Sequence, residues 1–266
     1  MKAYLSVFRL RFAVQLQYRA AAAAAFFTQF FFGMIYVMVF HAFYASSAAV
    51  QPLSLSQAIT YAWLGQSVYR MQPYNGDFDV KTLIRSGNVA YELCRPVDLY
   101  FLWYARQLSL RIVPYLLTGL PLLLITFFLP REFGWTLPAS TATGIAFMFS
   151  ITLALLLSCA ISNLITISTV WTIAGDGMER ILPAAIMVFS GNIVPLAFFP
   201  DWAQTTLRLL PFSGLIDHPF RLYLGIIPAS SMLSVCILQL SWTIVLVMTG
   251  ILLLNAGKKK VVVQGG

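Results

Sequence analysis

The sequence predicts an all-α polytopic membrane protein. Hydrophobic residues make up 59% of the 266-residue chain and charged residues only 10%, and the mean hydropathy is +0.80. A soluble domain contains about 25% charged residues, so this chain has too little polar surface to cover a water-soluble globule. Its apolar runs are continuous and do not alternate with polar residues, which favours helices over an outer-membrane barrel.

Charge and cysteine content exclude two other classes. The net charge of +8 could indicate a nucleic-acid partner, but the basic residues stand at the ends of apolar runs, where they are topology signals. We therefore expect no nucleic acid as a partner. The three cysteines are an odd number at long spacings, so we expect neither a disulfide framework nor a metal site.

Residues 1–19 are predicted to form an interfacial elbow helix. Their apolar residues recur at three- or four-residue intervals between basic residues, which puts an apolar stripe on one side of a helix and cations on the other. The stripe consists of Leu5, Phe8, Phe12 and Leu16. A signal peptide is the alternative, but its apolar region would be roughly 7–15 residues long, whereas Ala20 to Tyr69 contains no charged residue.

Six apolar segments are predicted to span the membrane, because about 20 residues cross the hydrocarbon core. Spans one and two fall in residues 20–74, spans three and four in 107–174, span five in 181–199 and span six in 230–254. The third span is expected at Ile112–Pro130, where Pro114 and Pro121 predict a kink.

Three polar regions connect or follow these spans. Residues 75–106 form a charged loop, residues 200–229 are short amphipathic pieces broken by prolines, and residues 255–266 are a basic tail. Lys and Arg number fourteen on the side of the N-terminus and three on the other side. Because basic residues accumulate on the cytoplasmic side, both termini and the charged loop are predicted to be cytoplasmic.

The charged loop has the pattern of a short helix set across the membrane plane. Acids precede Val80 and bases follow it, as the helix dipole favours, and Ser86-Gly87-Asn88 is typical of a helix stop followed by a cap. Asp98 is the predicted cap of the next helix. A plain solvated connector is the alternative, but it would need neither the apolar positions nor the glycine break.

Four stretches of the sequence resemble the permease subunits of type-2 ABC exporters. The likeness is closest to the bacterial branch with a separate ATPase and often two paired permeases. The stretches are LIRSGNVAYELCRPVDLYFLWYARQL (83–108), SGNIVPLAFFPDWAQTTLRLLPF (190–212), HPFRLYLG (218–225) and KKKVVVQGG (258–266). The resemblance implies a single transmembrane domain over residues 1–266, located in the bacterial cytoplasmic (inner) membrane.

The resemblance also implies a coupling helix between spans two and three, which would bind the ATPase. Such a helix needs apolar contacts flanked by charges that fix the register. The implied contact residues are Lys81, Leu83, Ile84, Arg85, Tyr91, Glu92, Leu93 and Arg95. The implied partners are two copies of an ABC ATPase, a second permease that is homologous or identical, and membrane lipid.

The proline-rich segment after span five resembles the re-entrant helices that close the external end of such exporters. The implied gate residues are Ser190, Gly191, Asn192, Pro195, Pro200, Pro211 and Phe212. This chain is not expected to be an enzyme, because it contains no GxxxxGK loop followed by Ser or Thr for binding phosphates. ATP and Mg²⁺ are expected on the partner subunit, with no cofactor in this chain.

The substrate and one rival function remain open at this stage. Spans one, four and five are rich in aromatic residues, which suits a hydrophobic or amphipathic substrate, lipid-like or drug-like and even cationic; lipid-facing phenylalanine is the alternative. An ATPase-independent secondary carrier or membrane scaffold is the second functional hypothesis. A proton-coupled carrier would need ionisable residues inside the spans, and the predicted spans one and three to six contain none.

Overall fold

The computed structural model describes residues 2–46, 50–172 and 176–258. Within these ranges the chain is helical and has no β-strand. The helices are α1 (Lys2–Gln17), α2 (Arg19–Ser46), α3 (Leu55–Val68), α4 (Phe78–Arg85), α5 (Val89–Leu93), α6 (Leu99–Pro114), α7 (Leu120–Phe127), α8 (Thr141–Trp171), α9 (Asp176–Phe189), α10 (Asp201–Leu209), α11 (Asp217–Tyr223) and α12 (Met232–Gly257). The basic tail lies outside the described residues from position 259 onwards.

Four helical segments are long and apolar enough to cross a membrane. They are Arg19–Ser46, Leu99–Phe127, Thr141–Trp171 and Ala229–Gly257, and they coincide with predicted spans one, three, four and six. Helices α3 and α9 correspond to spans two and five but have 14 residues each. At 1.5 Å per residue each is about 21 Å long, which is shorter than the roughly 30 Å of the hydrocarbon core. The six-span count therefore stays a prediction.

The helical segment that corresponds to predicted span three begins at Leu99, thirteen residues before the predicted Ile112. Asp98 is its N-cap, as expected, because its Oδ1 accepts a hydrogen bond of 3.0 Å from the amide of Phe101. The basic residues of this helix, Arg106 and Arg111, are buried and hydrogen-bonded within the protein, so they do not end the helix. After Pro114 the helix widens into a π-type turn at Tyr115–Gly119, where the missing proline N–H interrupts the regular pattern.

Span five ends earlier than predicted. Helix α9 stops at Phe189, ten residues before the expected end, and the chain turns at Gly191, whose φ is +84°. A Cβ on Gly191 would lie 2.6 Å from the Tyr61 hydroxyl. Left-handed backbone and close packing both require glycine here, and the turn sends the rest of the predicted span into a separate segment.

Helices α8 and α3 form the centre of the fold. Half of the residues in the apolar 18-residue stretch of α8 are buried, and every residue of α3 from Ala58 to Val68 is buried. Helix α8 packs against α12, α6 and α11, and α2 packs against α3. The apolar surfaces of α2 and α12 are mostly exposed, as expected of helices that contact lipid.

Helix α1 (Lys2–Gln17) falls within the predicted elbow segment, residues 1–19, and packs along α6. Tyr4 and Val7 contact the apolar cluster around Trp103. Of the predicted stripe, Phe8 and Phe12 are half-buried, whereas Leu5 and Leu16 are exposed. The location of this helix in the membrane interface stays a prediction.

Candidate functional site

The loop between α3 and α6 folds into a compact unit that we call the charged platform, residues 77–98. Asp77 caps α4, because its Oδ1 accepts hydrogen bonds from the amides of Asp79 at 3.0 Å and Val80 at 3.2 Å. Gly87, with φ of +75°, separates α4 from α5. The break at Gly87 matches the sequence prediction. The Asp77 cap was not predicted, and the predicted cap residue Asn88 makes no side-chain capping hydrogen bond.

Arg106 of α6 lies among three carboxylates of the platform. Its Nε donates to Asp77 Oδ2 at 2.7 Å and its Nη2 to Asp77 Oδ1 at 3.2 Å, which is the bidentate geometry that arginine forms best. The guanidinium is also 3.5 Å from Asp79 and 3.9 Å from Glu92. Burial alone would raise the pKa of Asp77, but the hydrogen bonds and charge of Arg106 hold it below its ordinary value.

Glu92 of α5 points into the protein. Its Oε2 accepts a hydrogen bond of 2.7 Å from the indole Nε1 of Trp103 on α6, and its side chain is only 7% exposed. Val80 and Val89 lie in one apolar cluster with Trp103 and residues of α8 and α12. The platform is therefore packed and hydrogen-bonded to the helix bundle along its inner side.

Two further contacts join α4 to other helices. Lys81 forms an ion pair with Glu179 of α9. The amide of Asp77 donates to the hydroxyl of Thr166 on α8 at 2.9 Å. With Arg106 on α6, these contacts connect α4 to three helices of the bundle.

The elbow helix is the fourth element joined to the platform. Arg11 of α1 makes an ion pair of 2.5 Å with Asp79, whose side chain is half exposed, and the amide of Asp98 donates to the Tyr4 hydroxyl at 3.2 Å. A displacement of α4 would therefore be transmitted to α1, α6, α8 and α9 together.

The outer side of the platform exposes aromatic and basic residues. Phe78 is 76% exposed and Tyr91 75% exposed. Leu93, Arg85 and Arg95 are exposed as well. Large aromatic side chains and arginine are the residues most enriched in protein interfaces.

The eight contact residues expected from the sequence therefore divide into three groups. Arg85, Tyr91, Leu93 and Arg95 are exposed, and Leu83 and Ile84 are half-buried against the apolar cluster. Lys81 and Glu92 are buried, with their charged ends in ion pairs or hydrogen bonds inside the chain. We correct the expected set accordingly: Lys81 and Glu92 hold the platform in place, and Phe78, which the sequence reasoning missed, belongs to the exposed group.

A groove, which we call the side groove, runs between α2, α3, α6 and α9. It consists of two neighbouring cavities of about 430 Å³ each, which share Tyr69, Arg70 and Met187. The first cavity is also lined by Gln72, Tyr74, Asn75, Gly76, Gln107, Leu110, Arg111 and Pro183. The second is also lined by Ala25, Thr28, Gln29, Phe32, Tyr36, Gln66 and Asn192. Of the many phenylalanines in the predicted spans, only Phe32 lines these two cavities.

Arg111 forms part of the wall of the first cavity. Its Nε donates to Ser158 at 2.9 Å and its Nη1 to the side chain of Gln107 at 2.6 Å, while Nη2 contacts Ser162. All of these acceptors are neutral. From the sequence, this arginine was counted among the basic residues on the cytoplasmic side, just before the third span at Ile112, whereas the structure buries it within a long helix.

The predicted gate residues lie in the segment between the end of α9 and the beginning of α11. Gly191 forms the turn after α9, the Ser190 carbonyl accepts from the amide of Asp217, and Asn192 donates to the Tyr74 hydroxyl at 2.8 Å. The remaining four are placed as follows: Pro195 precedes a 3₁₀ turn, Pro200 precedes α10, and Pro211 and Phe212 are half-buried next to Phe189.

A buried polar group that the sequence reasoning missed lies beside these residues. Asp217 is fully buried, and its Oδ2 is 3.5 Å from Arg221 Nη1. Burial raises the pKa of Asp217 to about 6, and burial together with the charges of Arg221 and Arg208 lowers the pKa of His218 to about 4. The hydroxyl of Tyr61 is buried close to Asp217.

Long apolar helices and a charged platform fixed to them define a multi-pass membrane protein. The family model described as ABC-2 family transporter protein matches residues 30–265, which include most of the chain. The chain therefore belongs to the ABC-2 transporter family, whose members are membrane transport components that pair with an ABC ATPase. No curated protein sequence and no solved structure matches this chain.

Proposed function

We propose that this protein is the permease subunit of an ATP-driven exporter and that the charged platform is its docking surface for the ATPase. The observation that supports this best is the two-sided construction of the platform. Its outer side exposes Phe78 and Tyr91, and its inner side is fixed to four helices by ion pairs and hydrogen bonds. Such a unit can receive a displacement from a partner and pass it to the bundle.

The positive-inside bias of the sequence supports a cytoplasmic location of the platform, where ATP is available. In our proposal, ATP and Mg²⁺ are bound and hydrolysed by two partner ATPases, and this chain performs no catalysis. Two permeases, identical or homologous, assemble in the bacterial inner membrane. Spans two and five, the short helices α3 and α9, complete the membrane domain together with the four long helices.

The side groove is the proposed substrate route. It is bordered by α9 and by the helix that follows the platform, so movement of α4 through Lys81 and Arg106 changes its width. Asn192 of the predicted external gate lines the same groove. The external segment, residues 200–229, would close the far end of the route.

A proton-coupled carrier is less well supported. The sequence argument against it placed the start of the third span at Ile112, whereas Arg106 and Arg111 belong to the same long helix as that span. Arginine does not release its proton in proteins, so these residues are unsuited to a proton relay.

The test is purification of the chain from its native membranes in mild detergent, followed by identification of co-purifying proteins and an ATP hydrolysis assay. We expect an ABC ATPase to co-purify. The double substitution Phe78→Ala and Tyr91→Ala should remove it, because exposed aromatic anchors often contribute about 2 kcal/mol or more to an interface. Trp202→Ala is the matched control, since Trp202 is 81% exposed on α10, away from the platform.

Two results would contradict the proposal. One is recovery of the chain without any ATPase under conditions that preserve other ABC complexes, which would favour a carrier or scaffold. The other is full ATPase recovery with the double variant, which would show that the docking surface lies elsewhere.

A further inference from the structure

We propose that the side groove binds the anionic group of an amphipathic substrate, and that Arg111 and Arg70 are the residues that receive it. This inference rests on the proposed function, because it names the class of substrate for the same route. The anionic group is a carboxylate or a phosphate, and the rest of the molecule is apolar or aromatic.

The first argument is the charge of Arg111. Its guanidinium is buried, and no carboxylate of the described ranges lies within ion-pair distance of it; its acceptors are hydroxyls, an amide oxygen and carbonyls. The charge of Asp77 reaches Arg111, but that carboxylate already binds Arg106 in bidentate fashion. A buried cation without a direct counter-ion is unfavourable, so an anion beside Arg111 would be stabilised.

The second argument is the geometry of the available donor. The contact from Arg111 Nη2 to the carbonyl of Asn75 is 3.5 Å long, which is at the limit of a hydrogen bond. Asn75 and Arg111 both line the first cavity, so the weak contact joins two residues of its wall. A carboxylate or phosphate oxygen there would replace a weak contact with a charge-assisted hydrogen bond.

The third argument is the lining of the groove as a whole. Among the described residues, neither cavity has an acidic side chain in its wall, whereas Arg70 borders both cavities. Arg70 is exposed and is free to move toward a ligand along the groove. The resulting positive potential favours anions and disfavours the cationic compounds that the aromatic content of the sequence had allowed.

The fourth argument is that the groove also offers an apolar surface. Leu110 and Met187 line the first cavity, and Phe32 and Tyr36 line the second. Each cavity falls within the roughly 300–1,000 Å³ of small-molecule sites. An anionic head at Arg111 with an apolar tail toward Phe32 would occupy both.

The test uses the full-length chain in nanodiscs of phosphatidylcholine, a lipid without net charge. Equilibrium binding of radiolabelled dodecyl phosphate is measured and compared with dodecyltrimethylammonium, which has the same apolar chain and the opposite charge. We expect saturable binding of dodecyl phosphate and about tenfold weaker binding of the cation, because the positive charges of the groove attract the anion and repel the cation. Equal affinity for the two amphiphiles would overturn the inference.

Variants locate the site. Arg111→Gln should weaken binding of dodecyl phosphate about tenfold, and Arg70→Gln about threefold. Arg111→Lys keeps the charge and should keep the preference for the anion, which guards against a folding defect in the glutamine variant. Arg131→Gln, at an exposed arginine outside the groove, is the matched control and should bind as the wild type does. Unchanged affinity in both Arg70→Gln and Arg111→Gln would refute the assignment.

The same assay separates two sources of the anionic group. If phosphatidylglycerol included in the nanodisc displaces dodecyl phosphate, the site accepts a membrane lipid; if it does not, the site accepts a soluble amphiphile, and both results agree with an anionic ligand. The assay contains no ATPase, so it does not depend on the co-purification experiment. Failure of the binding assay therefore leaves the co-purification result valid, and failure of the co-purification leaves the binding result valid.

Discussion

Replacing Arg106 by Gln tests how the platform is held. The substitution leaves Asp77 and Glu92 buried without their cation, because the side chains of these two acids are 3% and 7% exposed. Removing one partner of a buried ion pair costs about 3–5 kcal/mol. For a chain of this size, 1 kcal/mol corresponds to roughly 2–4 °C, so the unfolding temperature should fall by roughly 6–20 °C.

The measurement is thermal unfolding of the purified chain in detergent, combined with hydrogen exchange of the α4 amides. The amide of Val80 should exchange faster in Arg106→Gln, because the Asp77 cap loses its anchor. The double variant Arg106→Gln, Asp77→Asn should recover part of the loss, since it removes the uncompensated charge. Arg131→Gln is the control at an exposed arginine.

The pH dependence provides a separate check. In the wild type, the lowered pKa of Asp77 means that its stabilising contribution is complete above the ordinary carboxyl range and is lost only as the pH falls below about 4. Without Arg106, burial is opposed only by the hydrogen bond from the Val80 amide and by the charge of Arg11. The pKa of Asp77 should therefore rise, and the deficit of Arg106→Gln should shrink between pH 8 and pH 5. An unfolding temperature equal to the wild type, with unchanged exchange at α4, would refute the reasoning.

Two other predictions concern the segment that follows α9. Gly191→Ala should destabilise the fold by about 1–3 kcal/mol, because the added Cβ meets the Tyr61 hydroxyl, while Gly177→Ala, which meets nothing within 4 Å, should be neutral or stabilising; equal unfolding temperatures would contradict this. In Asp217→Asn, the free energy of unfolding measured by thermal unfolding should fall by roughly 1–2 kcal/mol from pH 8 to pH 5. The reason is that His218 has a low pKa in the folded chain, so only the unfolded chain binds a proton at this residue. His218→Gln should gain stability over the same range, since Asp217 with its raised pKa accepts a proton in the folded state; slopes of the same sign would refute this.

The structure changes how the platform residues are understood, beginning with Lys81 and Glu92. Both had been assigned to the contact with the ATPase because the family resemblance implies a coupling helix in this loop. Their partners, Glu179 and Trp103, lie on α9 and α6. Nothing local to α4 or α5 indicates that these charges are neutralised inside the chain.

Features set by a few neighbouring residues were predicted from the sequence. The membrane class follows from the length of the uncharged runs, because hydrocarbon excludes unpaired charge. The Asp98 cap and the Gly87 break follow from hydrogen bonds and backbone angles within a few residues. Most ends of the four long helices lie within a few residues of the predicted positions.

The tertiary structure alone decided which charges are internal and where the groove lies. Arg106 binds a carboxylate 29 positions away, and Arg11 binds one 68 positions away. Arg111 was indistinguishable in sequence from a topology signal, and only its burial against Ser158 and Gln107 made it a wall of the groove. The energy of a charged side chain depends on the dielectric and partners around it, and these surroundings are assembled by helices that the sequence places far apart.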